Sequence, residues 1–322
     1  MNRFLFAAGA VSAAVALVGQ DISDQPIKVD VNIVNMFCAV RDKKGALISN
    51  LSKDDFQLFE DGKQQQIKYF TRETDLPLTI GLLVDVSGSQ VNLIDIERRA
   101  ATAFFQQVLK KKDVAFLISF GADSELLQDI TGSPKLLQEG LDRLRLNAGT
   151  SGFGGGPVPT ANKPRGTVMY DAVYLAANDR LAREVGRKVI VLITDGEDQG
   201  SSYSIKQAIE QAQKADAVIY SIYYVDPYFY SRGGLSFGGG GEGYLKRMSE
   251  ESGGRVFRVD RGHTLSDAFT QLQQEMRSQY AIGWTPVSDR KDGSYHTTEL
   301  KLADKNLKVH ARKGYYAMPP QQ

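Results

Sequence analysis

Two runs constrain this chain more than any others. Leu78-Thr-Ile-Gly-Leu-Leu-Val84 and Lys188-Val-Ile-Val-Leu-Ile193 are apolar stretches of strand length, and each ends in a carboxylate among small residues: Asp85-Val-Ser87-Gly88-Ser89 and Thr194-Asp195-Gly196. Strands this apolar on both faces must be covered on both, as in a parallel sheet with helices on either side. Such open α/β sheets keep their ligands at the carboxyl edge of the strands, where both carboxylates fall.

The rest of the central sequence alternates in the same sense. The strand 78–86 is followed by a helical pattern near 92–111, with Ile94, Ile96, Ala100, Ala103, Phe104 and Val108 as its apolar positions. Strands 113–120 and 125–131 come next. Ser133 as cap and Pro134 at the first helical position then open a helix with Leu137, Leu141 and Leu144. A helix beginning at Thr167 places Val168, Ala172, Leu175 and Ala176 on one face. After the strand 188–194 come a helix from about Ser204, a strand 217–225, and a helix 244–251 stopped by Gly253-Gly254. A strand 255–260 and a helix 265–279 complete the series. Alternating strands and helices predict an α/β fold with a doubly wound, mostly parallel six-stranded sheet.

The strand ends carry chemistry. Residues two apart in an extended segment point the same way, so Asp85, Ser87 and Ser89 converge, and Gly88 lets the backbone turn closely around them. Asp195 delivers a second carboxylate by the same design, and Thr167 places a hydroxyl at a helix start. Taken alone, the Asp-Ser-Gly triplet also suits an ordinary turn. Five oxygen-bearing side chains and no nitrogen or sulfur suit Mg²⁺ or Mn²⁺ rather than Zn²⁺. Asp171, Glu197 and Asp198 lie close in sequence, but they read as loop-fixing, helix-capping or solvated carboxylates and stand outside the site.

On these residues the chain resembles the von Willebrand factor type A domain. That family's metal-ion-dependent adhesion site has the pattern Asp-x-Ser-x-Ser, then a Thr, then an Asp after a later strand; Asp85, Ser87, Ser89, Thr167 and Asp195 fill all five positions. The resemblance covers about residues 76–280. It implies that Ser87, Ser89 and Thr167 ligate the ion directly and that Asp85 and Asp195 act mostly through water. One coordination position is then left for an Asp or Glu carboxylate of a protein partner. The implied function is cation-dependent protein binding or adhesion, without enzymatic activity.

The flanks read differently. Residues 29–40 alternate, Arg41-Asp-Lys-Lys-Gly45 reads as a hairpin turn, and Phe56–Glu60 is a strand ending in the Asp61-Gly62 turn, with a further strand at 66–70. Residues 280–285, 295–302 and 307–312 are strand-like too, with Asp292-Gly293 as a turn. Neither flank has enough core alone, so the expectation is one small β-sandwich, formed by 26–74 with 281–318, into which the domain 76–280 is inserted. Asp54-Asp55-Phe56, Phe59-Glu-Asp-Gly-Lys-Gln64 and Arg312-Lys-Gly-Tyr-Tyr316 are similar to wordings in a group of exported bacterial type A-domain-related proteins.

The amino terminus reads as a signal peptide over residues 1–20. Arg3 supplies a positive start, Phe4 to Val18 an apolar stretch, and Ala14-Val-Ala16 one cleavage choice. An uncleaved anchor is the alternative, although the stretch is short for a bilayer. With cleavage the chain is exported, periplasmic or extracellular, and keeps no integral membrane span. The single cysteine, Cys38, excludes an internal disulfide and belongs to the inward side of an alternating strand. The formal charge of +1 over 322 residues gives no basis for nucleic-acid binding.

Glycine-rich segments 149–166 and 228–243 precede Thr167 and follow the strand at 217–225. They read equally as a recognition rim beside the ion or as plain linkers. A Ser-His-Asp hydrolase built on Ser87 is disfavoured, because His296 and His310, two of the three histidines, lie in the tail. A Mg²⁺-dependent phosphoryl-transfer enzyme with Asp85 as nucleophile wants a second acid where Ser87 stands. A metal-independent scaffold protein is the remaining alternative.

Overall fold

The apolar run that begins at Leu78 becomes a strand in which every residue from Leu78 to Asp85 is buried. The computed structural model describes residues 33–73, 76–147, 166–226, 240–288 and 291–319, all within the unit Asn32–Gln322. Four strands come first: β1 (Val34–Arg41), β2 (Phe56–Glu60), β3 (Lys63–Gln65) and β4 (Tyr69–Glu73). The central part begins with β5 (Leu78–Asp85), α1 (Ile94–Val108), β6 (Val114–Phe120), β7 (Ser124–Thr131), α2 (Pro134–Leu141) and α3 (Met169–Leu175). It continues with β8 (Arg187–Thr194), α4 (Ile205–Lys214), β9 (Ala217–Tyr223), α5 (Gly241–Ser252), β10 (Val256–Arg258) and α6 (Leu265–Met276). The last strands are β11 (Gln279–Trp284), β12 (Tyr295–Leu302), β13 (Lys308–Ala311) and β14 (Gly314–Tyr316).

The six-stranded sheet has the order β10-β9-β8-β5-β6-β7, parallel throughout except for the antiparallel edge strand β7. The fold is therefore the doubly wound α/β architecture expected from the sequence. Residues of β5 alternate between two cores. Leu78, Ile80, Leu82 and Val84 pack with α1, α2 and α6, through residues such as Phe104, Leu137 and Phe269. Leu83 packs on the other face with α3, α4 and α5, through Ala172, Ile209 and Met248. Gly81 also belongs to this second face. A Cβ there would lie 2.3 Å from Cζ of the buried Phe116, so the missing side chain is what admits the ring. Because β5 is flanked by β6 on one side and β8 on the other, the chain order reverses there, which is where open α/β sheets hold their ligands.

The flanks form two antiparallel four-stranded sheets, β13-β1-β11-β4 and β14-β12-β2-β3, each mixing strands from before and after the central sheet. Met36, Cys38, Phe56, Leu58, Tyr280, Trp284 and Leu300 join them in one core. Cys38 is fully buried, and that burial pushes its thiol up. At the β2–β3 hairpin Asp61 and Gly62 both have positive φ, 48° and 76°, as a two-residue turn of matching twist requires. Two of the expected wordings meet inside this core: Trp284 Nε1 donates to Glu60 Oε2 at 2.9 Å and Tyr315 Oη to Glu60 Oε1 at 2.7 Å. The buried carboxylate of Glu275 on α6 accepts from Arg41 of β1 and from Arg255 beside β10, tying one flanking sheet to the central one.

Local expectations shift in places. The strand expected at 66–70 is β4 at Tyr69–Glu73, because 63–65 already pair with β2. Leu175 is exposed, not buried with Val168, Ala172 and Ala176; Met169 and Val173 fill that face instead, and the helix continues as a π-helical turn over Ala176–Leu181. On α1 the buried positions are Ile94, Glu97, Ala101, Phe104, Phe105 and Val108, so Ile96 faces solvent and Glu97 faces inward. The signal peptide 1–20 lies outside the described residues. So do 149–165 of the first glycine-rich segment and 228–239 of the second, including the aromatics Tyr228 to Tyr230. Among the described residues no helix is long and apolar enough to cross a membrane.

Candidate functional site

Asp85 is the last residue of the fully buried β5 and is itself 0% exposed. Its Oδ1 accepts the Ser87 amide at 2.9 Å, and its Oδ2 accepts the Thr194 hydroxyl at the end of β8. The first bond shapes the turn that brings Ser87 back over the strand end. Ser87 Oγ and Ser89 Oγ are 3.1 Å apart. Two oxygens at the neighbouring corners of a Mg²⁺ octahedron are separated by about 3 Å, so the spacing suits a shared ion as well as a hydrogen bond. Ser87 is buried and Ser89 half-buried.

Thr194 does more than end β8. While its hydroxyl donates to Asp85, the same oxygen accepts the Gly196 amide at 3.0 Å, which turns the chain immediately after Asp195. Gly196 has φ of +82°, and a Cβ there would stand 2.5 Å from the Gly241 carbonyl at the start of α5. Only glycine fits this conformation and this closeness. Asp195 is buried, its Oδ1 accepts the Glu197 amide at 3.2 Å, and its charge acts on Asp85, Glu97 and Glu197.

Thr167 is half-buried and is held from two sides. Its carbonyl accepts the amides of Gln199 and Gly200 at 3.0 and 3.2 Å, from the loop after β8. The next amide, Val168, donates to the Gly121 carbonyl at the end of β6, beside Val86 of the β5 turn. The loops carrying the five expected residues are thus laced together at one edge of the sheet. Asp85, Ser87 and Ser89 are joined by direct or single-step hydrogen bonds, Asp195 is coupled to Asp85 electrostatically, and Thr167 is tied to the same edge through its backbone.

The neighbouring carboxylates behave as structural groups. Asp171 accepts the Ser202 and Tyr203 amides, and Asp198 Oδ1 accepts the Tyr170 amide and the Ser201 hydroxyl. Asp198 thus steadies the start of α3. It is not the cap of α4, which has its own capping box in Ser204 and Gln207.

Electrostatics set this end of the sheet apart. Burial first, and the charge of Asp195 next, push the Asp85 carboxyl up to about 7. Glu97, missed by sequence reasoning, is also 0% exposed. Burial, Asp85 and Asp195 hold its carboxyl well above the ordinary range. Neither Glu97 oxygen has a hydrogen-bond partner among the described residues, nor does Gln90 Oε1 nearby on the same segment. A signal was present in the sequence: position 97 lies three residues after Ile94 and four before Ala101, on the apolar face of α1. Clustered buried acids and orphaned oxygens are the environment a hard cation satisfies, so the residues present fit Mg²⁺ or Mn²⁺.

A second group, Glu60, Asp61 and His296, has ligand atoms within 4.8 Å of one another. Its oxygens are already engaged. Glu60 serves Trp284 and Tyr315, while Asp61 holds His296 Nδ1 at 2.8 Å and both donors of Thr297. Hydrogen bonding accounts for this cluster without an ion.

Residues 161–271 match the von Willebrand factor type A domain family. The matched stretch takes in Thr167 and Asp195 and leaves out Asp85, Ser87 and Ser89. No curated protein matches the chain. Among solved structures the chain is similar to an aerotolerance-related membrane protein from Bacteroides fragilis, at 18% identity over 62% of this chain and 98% of that one, with a TM-score of 0.44. It is similar as well to proximal thread matrix protein 1 from the mussel byssus with a zinc-occupied MIDAS motif, at 13% identity, 67% and 49% coverage and a TM-score of 0.48. A von Willebrand factor type A structure from Catenulispora acidiphila matches at 12% identity, 82% and 72% coverage and a TM-score of 0.47.

Proposed function

We propose that this chain, which carries a von Willebrand factor type A domain, is a divalent-cation-dependent binding module that captures an acidic group of a protein partner. Type A domains are protein-interaction or adhesion modules, and contact with another protein is the general role. The reading places the domain at 76–280, takes Asp85, Ser87, Ser89, Thr167 and Asp195 as the cation site, and takes the chain as exported. The observation that supports it most is the pairing of the buried Asp85 turn, with its two hydroxyls 3.1 Å apart, and the buried Asp195 at the switch point of the sheet.

In this reading Ser87, Ser89 and Thr167 would hold the ion through neutral oxygens, which would leave it electrophilic, and Asp85 and Asp195 would act mostly through water. Asp85 also orders the site through the Ser87 amide and Thr194 hydroxyl. Bound Mg²⁺ or Mn²⁺ would supply a concentrated positive charge with an exchangeable position for an Asp or Glu carboxylate. A phosphoryl-transfer role lacks support, because Ser87 stands where a second acid is wanted.

The test is calorimetric titration with Mn²⁺. Wild type is expected to bind one ion, and Asp85→Ala none, with most of the core still folded by circular dichroism. Unchanged Mn²⁺ affinity in Asp85→Ala would refute the site. Partner capture that persists in chelator would favour the metal-independent scaffold.

A further inference from the structure

Glu97 sits in the first turn of α1, immediately after the loop that carries Ser87 and Ser89. It is fully enclosed, and neither carboxylate oxygen meets a donor among the described residues. A buried carboxyl left without a hydrogen bond is among the least favourable arrangements a fold can contain. The charged neighbours that act on it are Asp85 and Asp195, both of its own sign. Gln90 Oε1, in the same loop, is likewise enclosed and without a partner. Gln90 turns its amide nitrogen toward the Tyr224 carbonyl at 3.5 Å and so presents its oxygen elsewhere. Three buried acceptor oxygens on two side chains, without donors among the described residues and within the charge field of two buried aspartates, suit positive charge or water polarised by it.

We propose that Glu97 is a third carboxylate of the cation site, an enclosed acceptor without a partner among the described residues that would take hydrogen bonds from water held by the ion. This rests on the cation-site reading above and adds to it a residue outside the five-residue motif. Its consequence is a difference in charge balance. Two carboxylates and three hydroxyls leave a divalent ion neutral; a third buried acid that gives up its proton when the cation enters makes the occupied site net negative. The ion is then retained more tightly, and ions of higher charge are favoured over divalent ones.

Glu97→Gln keeps the side chain's size and removes its charge. The measurements are Mn²⁺ and Tb³⁺ affinities by calorimetry and Tb³⁺ luminescence, and melting temperature in chelator, for wild type, Glu97→Gln, Glu97→Met and Asp85→Ala. The expected result is a Glu97→Gln protein that melts no lower than wild type in chelator. Its Mn²⁺ affinity falls about tenfold and its Tb³⁺ affinity about a hundredfold, within the range typical of lost outer-shell groups. Glu97→Met gives the same pattern and serves if Glu97→Gln does not fold. Asp85→Ala that loses Mn²⁺ beside a Glu97→Gln protein of unchanged affinity overturns the role of Glu97 alone. Equal losses for both ions together with a lower melting temperature in chelator assign Glu97 a structural role and overturn it too. Asp85→Ala that retains Mn²⁺ removes the cation-site reading and this inference together.

Discussion

Taking the charge off Asp85 is expected to stabilise the protein when no cation is present, and only above mildly acidic pH. The carboxyl is 0% exposed and is raised from 3.8 to about 7, by burial first and by Asp195 second, against the opposing bonds from Ser87 and Thr194. Below pH about 4 folded and unfolded chains both hold the proton, and the contribution of Asp85 is fully present. Between about 4 and 7 the unfolded chain ionises freely while the fold keeps its proton. Stability is therefore lost as pH rises, at about 1.4 kcal/mol per unit. Over the roughly three units of the shift the loss reaches about 4 kcal/mol and levels off above pH 7. Asp85→Asn cannot ionise and escapes this loss, but it forfeits about 1 kcal/mol of hydrogen bonding with Thr194. The variant should be about 1 kcal/mol less stable than wild type at pH 4 and about 3 kcal/mol more stable at pH 8. Urea unfolding in chelator at several pH values measures the difference, and comparison with wild type cancels the carboxylates elsewhere that titrate in the opposite sense, such as Asp55 and Asp267. Saturating Mg²⁺ at pH 8 should reverse the order. A stability difference that is the same at pH 4.5 and pH 8 would refute the reasoning.

Two further outcomes follow from packing. Glu60→Ala leaves Trp284 Nε1 and Tyr315 Oη buried without an acceptor and should cost about 2–4 kcal/mol, read by denaturant unfolding through the fluorescence of Trp284, the single tryptophan. A variant as stable as wild type would mean that water replaces the carboxylate. Gly81→Ala forces a methyl against the Phe116 ring and should cost about 1–3 kcal/mol in thermal or urea unfolding, whereas an unchanged midpoint would mean the ring has room to shift.

The amino-acid order by itself determined the kind of sheet, because apolar runs such as 78–84 and 189–193 have no stable place except between two covering layers. It also determined which side chains stand at the strand ends, since alternation fixes direction locally: Asp85, Ser87, Ser89 and Asp195 were legible from spacing alone. Boundaries were less so. The π-helical turn after Leu175 and the start of β4 depend on partners distant in sequence, which decide where a pattern is kept and where it slips. Tertiary structure alone decided the electrostatics of the site. Thr194 was only the residue before an aspartate until β8 came to lie beside β5 and set its hydroxyl on Asp85. Glu97 is a single polar residue on the apolar face of α1, and only the packing of that helix encloses it completely. A side chain's charge cost depends on how many atoms exclude water from it, and that number exists only once remote parts of the chain have closed around it.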